Sequence, residues 1–320
     1  MPEIIERISL GDTNYLPSMV TMVYCPPHGH REIEVGTVLE GNARVITKTD
    51  DVPVTAGDLY INNPYSAHEF VTRTPGKPFT ILQLQIPAAF FSEYFPSMEN
   101  VRFDFGAYNA ENTEGFDGIR FLLLRTALRF FEKGPYYELA CAGLIDLLFA
   151  RLLTRIPHKV LTENERESLN AGVIHMRHAI AYIDENFDRK LLLSEIAEQE
   201  GVTVNYLSHL FSDLMGMPFQ EYLMRVRCGR AARMLSTDLS LLDISISCGF
   251  SDPKYFNAWF ERCYTVTPRE FREEYAGTDL TEVGISPNST LPLHLPEETA
   301  LESLKKYLGD NTEAGRSLLK

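Results

Sequence analysis

Between Leu191 and Phe271 one local pattern occurs twice. Each copy has a short helix-like run, a glycine, a small polar residue and a second helix-like run with an aromatic in its first turn. In the first copy Ile196 and Ala197 precede Gly201, Thr203, Tyr206 and Phe211; in the second Ile244 precedes Gly249, Ser251, Tyr255 and Phe260. Gly201 and Gly249 stand where a helix must end in a left-handed residue, which glycine adopts without a Cβ clash. Thr203 and Ser251 follow two residues later, where a side-chain oxygen can cap the next helix. Pro253 fits a first turn, in which its missing N–H costs nothing. Val202, Leu207, Leu210 and Phe211 supply the apolar face that packs the second helix on the first. Such a unit is a helix-turn-helix, which lays its second helix in the major groove of DNA. A single copy would be read as an ordinary helical hairpin. Two copies with similar exits (Met217-Pro218-Phe219 and Val266-Thr267-Pro268), joined by the helical run EYLMRVRCGRAARML, argue against that plainer reading.

From Ile174 to Tyr275 the chain resembles the AraC/XylS family of transcription regulators. The residues that carry the resemblance are Leu207, Phe211, Gly216, Pro218, Arg227, Ala231, Leu235, Ile244, Gly249, Phe250, Tyr255, Phe256, Phe260, Pro268 and Phe271. The resemblance implies a seven-helix DNA-binding domain with two recognition helices in successive major-groove segments. Carried over residue by residue, it implies that the first recognition helix presents Asn205, Ser208 and His209, and the second Lys254, Asn257 and Ala258. Asn bonds adenine bidentately and Lys reaches guanine. Thr203, Ser251, Arg225 and Arg230 are the candidate phosphate contacts, while Arg227 fits an internal pairing equally well. His209 and Ala258 stand where many members carry Arg, and Ser212, Asp213 and Glu261 where Lys is common.

The charge runs the other way. The chain carries −14, and residues 173–275 alone hold 11 Lys/Arg against 15 Asp/Glu, a balance of −4. Nucleic-acid binders are usually basic, so here placement must matter more than the sum. Helix N-termini supply neutral donors to phosphate, and binding should be weaker and more salt-sensitive than in a basic domain. Five scattered cysteines without a C-x-x-C spacing suit buried thiols in a reducing cytoplasm. No run of eighteen or more apolar residues exists, so no segment is expected to span a membrane, and the acidic first residues are unlike a signal peptide.

Residues 16–86 read as short strands (VTMVYC, EVGTVLEG, ARVITKT, DLYIN, HEFVTR, FTILQLQI) separated by turn chemistry, which argues for a sandwich or barrel. Within them His28-Gly29-His30 precedes Glu34 and Gly41, and Gly57-Asp58 precedes Pro64 and His68. This resembles the two motifs of the cupin barrel, the effector domain commonly fused to AraC-type modules; Ser66 stands where many cupins have Gly. In metal-binding cupins the positions of His28, His30, Glu34 and His68 hold one metal ion, and three imidazoles with a carboxylate suit Zn, Mn, Fe or Ni. In the regulator family the same box is often kept without metal, so no cofactor is required and a divalent transition metal is the alternative. A barrel mouth favours small molecules. Tyr24, His28, His30, Glu34, Tyr60 and His68 are the candidate effector contacts, and Gln83 and Gln85 share one face of their strand.

Over residues 116–156 the apolar spacing becomes helical, in two runs broken at Gly134-Pro135. The second run is apolar nearly all round, which points to burial on more than one side and hence to a dimer interface; the plainer role is to cover the barrel. Residues 157–171 are polar and read as an interdomain linker. His175 and His178 read as surface or packing residues, since no Cys or acidic residue sits at ligand spacing. After Tyr275 a Pro/Ser/Thr-rich stretch reads as flexible, with Leu301, Leu304 and Leu308 able to form a turn or two of amphipathic helix.

The expected fold is α+β in two domains. An antiparallel cupin-like barrel over residues 1–115 carries a helical pair over 116–156, then come a linker over 157–171, an all-α double helix-turn-helix over 172–275 and a flexible tail over 276–320. The expected function is ligand-responsive control of transcription by a cytoplasmic homodimer. Double-stranded DNA and a small-molecule effector are its partners, RNA polymerase is a candidate partner, and neither membrane nor catalysis is involved. Two rivals remain: a metal-dependent cupin enzyme with a helical appendage, which would hold stoichiometric metal, and an adaptor whose acidic helix pair binds protein.

Overall fold

The computed structural model describes residues 5–6, 14–276, 278–283, 285 and 292–311. Nine strands come first: β1 (Ile5–Glu6), β2 (Leu16–Met22), β3 (Tyr24–His30), β4 (Glu32–Glu40), β5 (Asn42–Ile46), β6 (Asp51–Thr55), β7 (Leu59–Asn62), β8 (His68–Thr72) and β9 (Phe79–Pro87). They form a four-stranded sheet, β2-β9-β4-β7, and a five-stranded sheet, β1-β3-β8-β5-β6. All pairings are antiparallel except the short β1–β3 pair. Among the described residues no ladder joins the two sheets, so the barrel expected from the strand pattern is an open two-sheet sandwich.

The two-residue period of the strands sets three layers. Val38, Tyr60, Phe70, Phe79 and Ile81 fill the space between the sheets. Ile33, Val35, Leu82, Leu84 and Ile86 turn to the far side of the four-stranded sheet and pack under helices. Those helices are α1 (Phe116–Glu132) and α2 (Tyr137–Arg155), and they enter this core with Ile119, Leu123, Ile145, Leu148 and Leu152. The helical pair therefore covers the sheet, the plainer of its two expected roles. One face of α2 stays open: Tyr136, at its N-cap, is 82% exposed, and Leu139 and Leu147 are 77% and 57% exposed.

The expected linker is largely structured. Strand β11 (His158–Val160) pairs antiparallel with β10 (Val101–Phe103). Helix α3 (Glu163–Asn186) then starts at a capping box, in which Thr162 Oγ1 accepts from Glu165 N and the Glu165 carboxylate accepts from Thr162 N at 2.7 Å. Residues 163–171 are thus the opening turns of a 24-residue helix rather than a loose tether.

Six shorter helices follow: α4 (Leu193–Gln199), α5 (Val204–Leu214), α6 (Phe219–Met234), α7 (Leu241–Ser247), α8 (Pro253–Tyr264) and α9 (Pro268–Glu274). With α3 they make the seven helices that the resemblance implies. Gly201 and Gly249 close α4 and α7 at φ +65° and +80°. The core of these helices continues without a break onto the outer face of the five-stranded sheet through Val23, Tyr24, Ala67 and Val71.

The tail also departs from expectation. Leu295 N donates to Met19 O at 2.8 Å, and His294 bridges to Val20, so the chain returns to β2. Helix α10 (Glu297–Asn311) then lies on α1. Ala300, Leu304 and Leu308, spaced every four residues, form one buried stripe in the α1–α2 core. Arg120 bonds Tyr307, and Lys133 pairs with Glu297 at 2.5 Å.

Candidate functional site

Helices α5 and α8 are each anchored by one buried apolar face. α5 buries Leu207, Leu210 and Phe211, and α8 buries Phe256, Phe260, Cys263 and Tyr264. The residues between these anchors, Asn205, Ser208 and His209 on α5 and Lys254, Asn257 and Ala258 on α8, are all exposed. Thr203 caps α5, its Oγ1 accepting from Tyr206 N at 3.1 Å. Ser251 does not cap α8: Asp252 does, accepting from Lys254 N at 2.8 Å. Asp252 sits in extended backbone directly before Pro253 at the first helical position, which places the cap one residue later than the first copy suggests. Its carboxylate favours the helix dipole and sets a negative charge where Ser251 was expected to meet a phosphate.

The arginines of α6 need a larger correction. Arg225 is buried, ion-paired with Glu69 on β8 and with Glu221 at 2.9 Å, and lies 3.4 Å from Tyr24 Oη. Arg230 bonds Asp184 at 3.2 Å and stacks over Phe187. Arg227 donates to the backbone carbonyls of Phe187 and Arg189 at 2.7 and 2.8 Å. All three guanidinium groups serve the interior, because α6 is enclosed by helices on one side and by the sheet on the other. Arg225 and Arg230 are not placed to meet phosphate.

Inside the sandwich, Glu34 is the hub. Its carboxylate accepts from Asn62 Nδ2 at 2.8 Å and from Gln85 Nε2 at 3.0 Å, and it faces His30 Nε2 at 3.3 Å and His68 Nε2 at 3.8 Å. Burial alone would push this carboxyl up. The hydrogen bond and charge of His30, with His68 and His28, instead hold it well below the usual carboxylate range. Burial, then the neighbouring His28, pushes the His68 imidazole well below the ordinary histidine value. His30 Nδ1 and His68 Nδ1 each lie on a backbone carbonyl, at 2.9 and 3.1 Å, which turns both Nε2 atoms to the carboxylate. Donor atoms of His30, Glu34 and His68 lie within 4.8 Å of one another, a set that fits a divalent transition metal.

His28, the fourth expected ligand, stands outside that set. Its ring is 4.2 Å from that of His68, and its Nδ1, like those of His30 and His68, lies on a backbone carbonyl, Pro26 O, at 3.0 Å. The β3–β8 ladder shifts register between Cys25 and His28, where Pro26 and Pro27 lie. Tyr60 points inward and is fully buried; a Cβ on Gly36 would come within 2.2 Å of its ring, so a larger residue there requires the Tyr60 side chain to move. Gln83 and Gln85 turn to the inner face with Glu34, as the strand period places them. Tyr24 does not: it lies on the opposite face of the sheet, its ring 5.0 Å from that of Tyr264 on α8. Reading from sequence missed Asn62, the last residue of β7, and Glu69, the second residue of β8, neither of which carries a motif signal. It also missed Glu200, whose carboxylate meets His175 and His178 at 3.1 and 3.0 Å from another helix.

Among the described residues no helix is long and apolar enough to cross a membrane. A family model described as a helix-turn-helix domain matches residues 196–274, and a cupin domain model matches residues 21–84. An uncharacterised HTH-type transcriptional regulator of Staphylococcus aureus is 23% identical over 239 residues, covering 74% of this chain and 31% of the relative. The chain therefore spans about a third of the length of that relative. The HTH-type transcriptional regulator ArgR of Pseudomonas aeruginosa is 28% identical over 171 residues, covering 46% of this chain and 52% of ArgR. A solved transcriptional regulator of Chromobacterium violaceum, described as containing an AraC-type DNA-binding domain, is 27% identical; it covers 34% of this chain and 99% of its own, with a TM-score of 0.32. The chain thus shares a cupin domain and a helix-turn-helix domain with these families, and it is similar to proteins named as HTH-type transcriptional regulators.

Proposed function

We propose that the chain binds double-stranded DNA through α5 and α8, and that a small molecule sensed by the sandwich domain controls this binding without catalysis. One observation carries the reading. Both helices are anchored by buried aromatics, and both leave their candidate base-reading residues open to solvent. Glu34 and its neighbours support the sensing part, since a buried polar centre of this size is costly unless its members are satisfied or used. His28, His30, Glu34, Tyr60 and His68 are the proposed sensing residues of the interior. Where a divalent transition metal occupies the centre, His30 and His68 would hold it through Nε2 and Glu34 through a carboxylate oxygen. The metal would then offer a Lewis-acidic contact to an oxygen-bearing effector.

The open face of α2, with Tyr136, Leu139 and Leu147, supports a homodimer, because exposed apolar side chains on one helix face mark an association surface. Selection of duplexes from fragmented genomic DNA by the full-length chain tests the proposal. The expected result is a recurrent sequence motif among the retained fragments. Retention of no motif, with or without chelator and candidate effectors, would favour the protein-binding adaptor instead.

A further inference from the structure

A cleft of about 300 Å³ lies between the outer face of the five-stranded sheet and α6, at the small end of the range for ligand sites. Arg44, Asp51 and Glu69 line it from the sheet, and Glu221, Arg225 and Arg262 from the helices. Three guanidinium groups thus face three carboxylates. At the rim, Arg44 Nε donates to Asp51 at 2.7 Å, and Glu221 Oε1 accepts from both Arg225 and Arg262 at 2.9 Å. Deeper, Arg225 and Glu69 pair through Nη1 and Oε1, with side chains 7% and 2% exposed. One atom on each side of that pair is unmatched: Arg225 Nε, a donor, and Glu69 Oε2, an acceptor, are buried without a hydrogen-bond partner. A buried charged group left short of a partner carries a large desolvation penalty.

We propose that this cleft binds a small zwitterion of amino-acid size, whose carboxylate takes Arg225 Nε and whose ammonium group takes Glu69 Oε2. A single anion would face Glu69, Glu221 and Asp51, and a single cation the three arginines; a molecule bearing both charges leaves the balance of the cleft unchanged. Ile46, Val71 and Met217 complete the lining and suit an aliphatic side chain. The site is distinct from the Glu34 centre, although His68 borders both. Its consequence rests on the regulator reading. Glu69 belongs to the sandwich and Arg225 to the DNA-binding domain, so a ligand gripping both has an affinity that depends on how the two are docked, and it shifts that docking in return.

Titration calorimetry of the full-length chain with each standard L-amino acid tests this. At least one should bind with 1:1 stoichiometry. If it is L-valine, the controls are isovalerate, which lacks the ammonium group, and isobutylamine, which lacks the carboxylate; both should bind roughly tenfold more weakly or worse. Glu69→Gln should weaken the zwitterion by about tenfold or more. Glu221→Gln, at a partly exposed position, should tighten it several-fold, because it removes the carboxylate that competes for Arg225 and Arg262. No binding by any amino acid overturns the proposal. So do single-charge analogues that bind as tightly as the zwitterion, or an affinity that neither substitution moves. Duplex selection with the same preparation keeps the two readings apart: a retained motif without amino-acid binding sinks only the cleft, and amino-acid binding without a motif sinks only the regulator.

Discussion

Replacing Gly249 by alanine should cost far more than replacing Gly201, although the two occupy equivalent places in the doubled motif. Both have left-handed backbone, at φ +80° and +65°, and a Cβ there costs roughly 1–2 kcal/mol. At Gly201 nothing lies within 4 Å of the added carbon, so the cost ends there. At Gly249 the added carbon would sit 2.7 Å from Phe187 O and 2.8 Å from the carbonyl of Asp188. These are backbone atoms that cannot swing aside, and Phe187 O already accepts from Arg227. Overpacking of this kind adds about 1–3 kcal/mol, for a total of about 2–5 kcal/mol. Urea unfolding followed by tryptophan fluorescence isolates the effect, because Trp259 on α8 is the sole tryptophan of the chain. The loss from Gly249→Ala should be about twice that from Gly201→Ala or more. Equal losses would show that α7 and α8 do not lean on the end of α3 as described.

Three further outcomes follow from the packing. Leu304→Ala, at a fully buried position, should destabilise the sandwich domain by about 2–5 kcal/mol and expose the tail to protease; wild-type stability would mean that α10 is not part of the core. Arg230→Ala should leave the salt dependence of DNA binding unchanged, since its guanidinium is held by Asp184; a slope shallower by about 0.9 would reveal a phosphate contact after all. Burial pushes the Cys248 thiol from its ordinary value of 9.0 to about 11. The proton is therefore bound more tightly in the folded state, so its stabilising share is complete below about pH 9 and lost as pH rises toward 11. Cys248→Ala should accordingly flatten the alkaline fall in unfolding free energy, and identical pH profiles for the two proteins would contradict the assignment.

Local chemistry explains what could be read in advance. Gly201, Gly249, Thr203, Pro253 and the buried aromatics of α5 and α8 each obey a rule spanning a few residues, and both helix-turn-helix units stand where those rules place them. The helical pair and its break at Gly134-Pro135 were legible for the same reason, whereas the convergence of His30, Glu34 and His68 was implied only by the cupin resemblance. The capping box at Thr162 and Glu165 was also local, but the charge of its surroundings read as linker. Arg225, Tyr24 and Glu69 meet across more than 150 residues of chain, so nothing near α6 in sequence distinguishes a phosphate contact from an interdomain ion pair. The docking of α10 is hidden likewise: three leucines at helical spacing show an apolar face, and only the fold supplies what covers it.

The account depends on α5 and α8 reading bases, and the affinity of Asn205→Ala and Lys254→Ala for a selected duplex measures that directly. At fixed salt, each substitution should weaken binding to the selected duplex by roughly 1–3 kcal/mol and relax discrimination at one position of the site. Unchanged affinity and unchanged sequence preference in both variants would contradict the assignment of the recognition helices.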